Sequence, residues 1–164
     1  MELIQILVLV SALLCSLVAG FVFCFSVVVM PGIRTLGDRD FLRSFKAMDG
    51  IIQNNPPVFI LVWLGSALVL IAAAALGALQ LDGPDGGLLI IACALYIFCV
   101  QVPTIAFNIP LNNRLQSLDL DAVAESEIVE TAEAFKRRWV RWNTFRTIAA
   151  TLTVILLLVA LTWL

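Results

Sequence analysis

Apolar side chains dominate four stretches of the chain, residues 3–30, 56–81, 87–107 and 144–164, and only the last contains a charge, Arg146. About 20 largely apolar residues suffice for a helix to cross a hydrocarbon core of roughly 30 Å. The pattern therefore predicts an all-α polytopic membrane protein, a single domain in which four transmembrane helices form a bundle. Runs of this length, in place of ten-residue alternating segments, exclude a transmembrane β-barrel.

Between the first two spans the period changes to that of an amphipathic helix. Phe41, Leu42, Phe45, Met48 and Ile52 fall on one face of a helix over about 38–53, with Asp38 as its cap, while Arg39, Arg43, Lys46 and Gly50 fall on the other. A basic face opposite an apolar one suits a helix lying in the membrane interface. A second amphipathic helix is expected over about 119–143. Acidic residues load its start and Lys136, Arg137, Arg138 and Arg141 its end, as the helix dipole favours. Its apolar stripe is Ile128, Ala132, Phe135, Trp139 and Trp142, and no Pro or Gly separates it from the last span. The segment Asp82-Gly83-Pro84-Asp85-Gly86-Gly87 is turn chemistry, which makes the second and third spans an antiparallel pair.

Composition agrees with this pattern. Of 164 residues, 62% are hydrophobic and 13% charged, against roughly 45–50% and 25% in soluble domains. All ten Lys and Arg residues lie in the two long loops or at their junctions with spans. Because cytoplasmic loops collect basic residues, both termini are expected outside and both basic loops in the cytosol of a bacterial inner membrane. No basic residue precedes the first span, so it reads as a retained helix rather than a cleaved signal. The four cysteines sit within spans and read as packing residues. There is no histidine, which removes the commonest metal-ligating and proton-shuttling side chain. Neither a metal nor another cofactor is expected, and no basic cluster is interleaved with aromatics as nucleic-acid binding would need.

A few polar residues inside apolar sequence carry the candidate chemistry. Helical spacing continues the stripe of Phe135 and Trp139 into Asn143 and Arg146, aiming both at the bundle. A charge at mid-membrane costs roughly 2.5–3.5 kcal/mol on insertion scales. Two readings of Arg146 are open: an anchor that snorkels to headgroups, or a fixed five-donor fork in a partly dry cavity, suited to a carboxylate, phenolate, quinone carbonyl or enolate. Gln101, Thr104, Asn108 and Asn112 share one face of the third span, where Pro103 and Pro110 disturb the helix. Such groups either bond between helices or line a cavity. The ligand-binding candidates are thus Asn108, Asn112, Trp139, Trp142, Asn143 and Arg146. Arg146 and Asp49 are the catalytic candidates, Asp49 being the one available base.

Four segments, Met30-Pro31-Gly32, Phe45-Lys46-Ala47-Met48-Asp49 leading to Asn55-Pro56, Phe107-Asn108-Ile109-Pro110-Leu111-Asn112, and Trp139-Val140-Arg141-Trp142-Asn143-Thr144-Phe145-Arg146-Thr147, resemble the anthrone oxygenase family. The resemblance extends over nearly the whole chain. It implies a four-span membrane protein with a pocket for a quinone-like, phenolic or lipid ligand. It also brings in the activity of fungal members, which oxidise an anthrone to an anthraquinone with dioxygen and no established cofactor. At Thr144 the chain departs from the relatives, which usually have histidine there. Alternatives from other classes are an accessory subunit of a larger membrane complex and a homo-oligomer. Transport coupled to protons or cations is disfavoured, because no Asp or Glu lies in the apolar centre of a span.

Overall fold

The computed structural model describes residues 2–81 and 84–164. Among them there are helices and turns but no strand. The first helix, α1, runs Leu3–Ile33. It is followed by α2 (Asp38–Gln53) and α3 (Pro57–Gln80). Helix α4 runs through Pro84–Tyr96, Ile97–Gln101, Thr104–Asn108 and Ile109–Gln116 in succession, and α5 is Glu125–Trp163. Helices α1, α3, α4 and α5 are each long and apolar enough to cross a membrane. They form a ring in which each packs on the helices before and after it, α5 closing on α1.

The chain chemistry at the helix ends explains most boundaries. At the start of α1, the Glu2 backbone N–H is accepted by the Gln5 side chain at 3.0 Å. Gly37, not Asp38, caps α2; Asp38 and Asp40 lie in its first turn, where the helix dipole favours acidic groups. Pro57 opens α3, at a position that has no helical acceptor to satisfy. The expected helix over about 119–143 begins only at Glu125. Upstream, the Asp119 carboxylate accepts the Asp121 N–H at 3.1 Å and the Asp119 carbonyl accepts the Ala122 N–H at 3.2 Å. These local bonds hold a turn in place of a helical one. As expected, α5 then continues unbroken into the membrane. Asp82 and Gly83 of the expected turn lie outside the described residues, and α4 starts at Pro84 rather than Gly87.

Three prolines within the spans do not end them. Each follows a widened turn with i→i+5 hydrogen bonding. Met30 N–H bonds to Phe25 O just before Pro31, Val102 to Ile97 O before Pro103, and Ile109 to Thr104 O before Pro110. Proline lacks an N–H and its ring collides with the carbonyl four residues back in a regular helix. A widened turn moves that carbonyl aside, so α4 reaches Gln116 instead of stopping near Phe107. Such turns concentrate at functional sites.

Two buried clusters hold the molecule. One, within the ring, is built of small and aliphatic residues such as Val8, Ala12, Leu70, Ala73, Ala92 and Leu157. The other resembles the core of a soluble domain and sits at the end of the ring that carries the basic loops. There Phe41, Leu42 and Phe45 of α2 pack on Phe135 and Trp139 of α5, with Phe45 edge-on to both at 4.7 and 5.2 Å. Fully burying each large apolar side chain contributes about 1.5–3 kcal/mol, which seats α2 firmly as a cap. The basic face of α2 does not project toward lipid as the pattern suggested. Arg39 pairs with Glu125 at 2.8 Å and with the carbonyls of Leu120 and Val123, Arg43 pairs with Asp121, and Lys46 bonds the Leu118 carbonyl. Asp38 meets Lys136 of α5 at 2.6 Å. The carboxylates and bent backbone of the 117–124 turns offered these cations nearer partners than headgroups.

Candidate functional site

At the capped end the ring encloses a cavity of about 290 Å³. Aromatic residues of four helices wall it, Phe21 and Phe25 from α1, Phe45 from α2, Phe59 and Trp63 from α3, and Trp139 from α5. Trp63 stacks on Phe59 at 5.6 Å within this wall. Polar groups enter the cavity chiefly along one face of α4, where Thr104, Asn108 and Asn112 recur every four residues. Thr104 and Asn108 are the first and last residues of one widened turn. A turn of more than 3.6 residues brings i and i+4 closer to vertical alignment than a regular helix does.

Arg146 lies deep in this cavity and is only 5% exposed. One terminal nitrogen donates to Thr104 Oγ1 at 2.8 Å and the other to Asn143 Oδ1 at 2.9 Å. Neither Asn108 nor Asn112, the ligand-binding candidates on the same face of α4, bonds to the guanidinium. Thr104 wins because its hydroxyl donates to the Val100 carbonyl at 2.7 Å, which fixes its oxygen as an acceptor facing α5. Asn143 does not line the cavity. It works from behind, donating to the Val22 carbonyl at 2.9 Å and to Ser26 Oγ at 2.7 Å on α1, so that its own oxygen is held toward Arg146. A polar chain thus crosses the bundle from α1 through α5 to α4.

Nε of Arg146 meets no acceptor, and both the nitrogen and the oxygen of the Asn108 amide lack partners although Asn108 is 2% exposed. Among the described residues no carboxylate pairs with Arg146. A buried polar group without a partner costs about 1–3 kcal/mol. Here three such atoms belong to two side chains that line one cavity.

Asp49 lines the end of the cavity toward α2, on the buried face of that helix one turn after Phe45, and is 4% exposed. Its Oδ1 accepts from Asn112 at 2.7 Å, and its Oδ2 accepts from Gln53 at 2.8 Å and Gln116 at 2.9 Å. Asn112 in turn accepts from the Trp139 indole at 2.9 Å. Amides therefore surround this carboxylate. Thr104, which holds Arg146, and Asn112, which holds Asp49, are eight residues apart on α4, so the cation and the carboxylate sit about two helical turns apart.

These residues decide what the family comparison means. The family model described as anthrone oxygenase matches residues 58–156, more than half of the chain. The chain belongs to the anthrone oxygenase family. The matched region holds the Trp63, Thr104, Asn108, Asn112, Trp139 and Arg146 part of the cavity; Asp49 and the α1 aromatics come from outside it. No curated protein and no solved structure matches the chain. Besides Asn143, one more ligand-binding candidate lies outside the cavity. Trp142 does not reach the cavity: it stacks on Phe107 at 3.7 Å and meets Phe145 edge-on, and both of those phenylalanines are exposed. It is three residues past Trp139, hence about 60° round the helix and on the outer flank. Thr144, where the resemblance implied a histidine, is likewise exposed on the outside of α5 and does not line the cavity. Sequence spacing had missed Gln53 and Gln116, whose signal was only their position one turn from Asp49 and Asn112.

Proposed function

We propose that this anthrone oxygenase family member binds a small, uncharged aromatic ligand carrying a ketone or quinone oxygen beside a phenolic hydroxyl. The observation that carries this reading is the set of three unpartnered atoms in one cavity, Arg146 Nε and both ends of the Asn108 amide. Two of these are donors and one is an acceptor. A ligand carbonyl would accept from the guanidinium and the amide N–H, and a neighbouring hydroxyl would donate to the amide oxygen. The aromatic walls favour a flat π-system, and the volume is near the lower end of the roughly 300–1,000 Å³ typical of ligand pockets. With the basic loops in the cytosol, the ligand is held at the cytosolic side of the membrane.

A second reading is cofactor-free oxygenation of an anthrone-like substrate, favoured by the presence of Asp49 and Arg146 in one cavity. Asp49 would take the proton from the ring carbon opposite the ketone, and Arg146 would stabilise the resulting enolate oxygen. The test is equilibrium binding of 1,8-dihydroxyanthraquinone to the protein in nanodiscs, read by tryptophan quenching. Binding weakened by both Arg146→Lys and Asn108→Leu supports the pocket; unchanged affinity in both variants removes it. Dioxygen uptake with 1,8-dihydroxyanthrone, abolished in Asp49→Asn, separates oxygenase from binding protein.

A further inference from the structure

The α3–α4 pair is closed at one end and open at the other. At the closed end a Cβ on Gly86 would lie 3.0 Å from the Gly77 carbonyl oxygen, and one on Gly77 would lie 2.8 Å from Leu89 Cδ1. The two helices are in close contact there, and a Cβ at Gly86 would press on the backbone of α3. Further along, Ser66 and Tyr96, both fully buried, bond through their hydroxyls at 2.7 Å. The Ser66 hydroxyl donates to the Trp63 carbonyl, so its oxygen accepts from Tyr96. Immediately after Tyr96 the first widened turn of α4 begins. From there to Gln116, α4 packs on α5 and α2 and no longer closely on α3. The Ser66–Tyr96 bond is the apex of a V.

The cavity lies in the mouth of that V. Ile60 and Leu64 of α3 and Ile109 of α4 line it there, and Asn108 lines its buried interior. Leu64 is 56% and Ile109 44% exposed on the lipid-facing side. Through Asn55, Ile60 and Leu64 the cavity continues into a shallow apolar groove on the outer face of α3, reaching Pro57, Leu61 and Leu68. The end toward the basic loops is built differently. There α2 is tied to α4 across the opening by Gln53–Asn113 at 3.1 Å and by the bonds from Asn112 and Gln116 to Asp49.

We propose that the gap between residues 57–66 of α3 and residues 97–109 of α4 is a lateral portal, through which a bilayer-dissolved aromatic molecule reaches Arg146 and Asn108. This rests on the ligand pocket proposed above and adds its route. An apolar rim facing lipid admits a molecule that partitions into the bilayer. The hydrogen-bonded amide plug at the other end would have to break for entry from water. The π turns at Ile97–Gln101 and Thr104–Asn108 then have a second consequence besides accommodating proline, since they are the stretch of α4 that parts from α3.

The test uses the full-length protein in nanodiscs loaded with the carbene precursor 3-(trifluoromethyl)-3-(m-iodophenyl)diazirine, an apolar aromatic probe confined to the bilayer, with adducts mapped by mass spectrometry. Wild type is expected to be labelled at Trp139 and Asn108, which are buried but line the cavity, as well as at lipid-facing Leu68, Phe98 and Ile105. In Leu64→Phe/Ile109→Phe the cavity adducts should fall severalfold while the lipid-facing ones stay constant. Leu64→Phe alone, at a half-exposed site with room for the ring, should give a smaller drop. Absence of cavity adducts in the wild type, or cavity labelling equal in wild type and both rim variants, overturns the portal. Arg146→Lys should weaken dihydroxyanthraquinone binding without changing the labelling. Cavity labelling in a protein that binds no hydroxyanthraquinone would refute the pocket chemistry and leave the portal standing.

Discussion

Replacing Arg146 by methionine separates a ligand-binding arginine from a structural one. The substitution keeps an unbranched, flexible stem, loses the guanidinium, and so removes a buried cation that no carboxylate among the described residues neutralises. Thr104 keeps its bond to the Val100 carbonyl, and Asn143 keeps both of its bonds to α1. Thr104 Oγ1 and Asn143 Oδ1 both lose the arginine donor; Thr104 still bonds through its own O–H, so the larger cost, about 1–3 kcal/mol, falls on Asn143 Oδ1. Against that stands relief of the penalty for a charge in the membrane, roughly 2.5–3.5 kcal/mol at the centre and less nearer the interface. The two effects offset to within about 2 kcal/mol. Arg146→Met should therefore melt close to wild type, or above it, in a detergent thermostability assay. Binding of 1,8-dihydroxyanthraquinone should weaken by about tenfold to a hundredfold, the equivalent of one charge-assisted hydrogen bond of about 1.5–3 kcal/mol. Stability given up for a function is the usual trade at such sites. Collapse of the methionine variant to the level of Asn143→Leu, with affinity retained in the surviving fraction, would show that Arg146 is a structural post and refute the reasoning.

Further outcomes follow from the same geometry. Asp49→Asn turns an acceptor oxygen into an N–H₂ facing amide donors, and should lower thermal stability by about 1–3 kcal/mol, seen as a reduced melting temperature without ligand. Trp139→Phe, which releases Asn112 and reshapes the wall, should weaken probe binding, whereas Trp142→Phe on the outer flank should leave it unchanged in the same titration. Impermeant thiol labelling of single cysteines should reach Gly87 and the C-terminus from outside and Arg43 from the cytosol; labelling of Arg43 from outside would invert the assigned orientation.

The four spans were legible because uninterrupted apolar length is itself the physical requirement for crossing a bilayer. The direction in which Arg146 and Asn143 point was legible for a related reason, while spacing left open whether the guanidinium stays in the bundle or snorkels to headgroups. Both sit on a helix with no breaker, so the stripe through Phe135 and Trp139 carries forward by simple spacing. The same spacing misplaced Trp142, because positions three and four residues on lie on opposite sides of a stripe and only the neighbouring helix selects between them. Pro103 and Pro110 read as interruptions, yet a widened turn absorbs each, and that choice depends on how α4 packs against α5. The basic face of α2 was likewise ambiguous. Cations pair with whatever acceptor lies nearest, and the carboxylates and carbonyls of residues 118–125 are brought there only by the fold. Asp49 could have been recognised as buried, since it follows Phe45 by one turn on the apolar face, but the amides that enclose it come from α4 and from its own helix end.

The central claim is that Arg146 and Asn108 are completed by a ligand. A density map of the membrane-extracted protein with 1,8-dihydroxyanthraquinone added tests it most directly. The account predicts flat density between Trp63 and Trp139, with an oxygen within hydrogen-bond distance of Arg146 Nε and another at the Asn108 amide. An empty cavity at saturating ligand, or the ligand bound elsewhere while Arg146 keeps only Thr104 and Asn143, would contradict it.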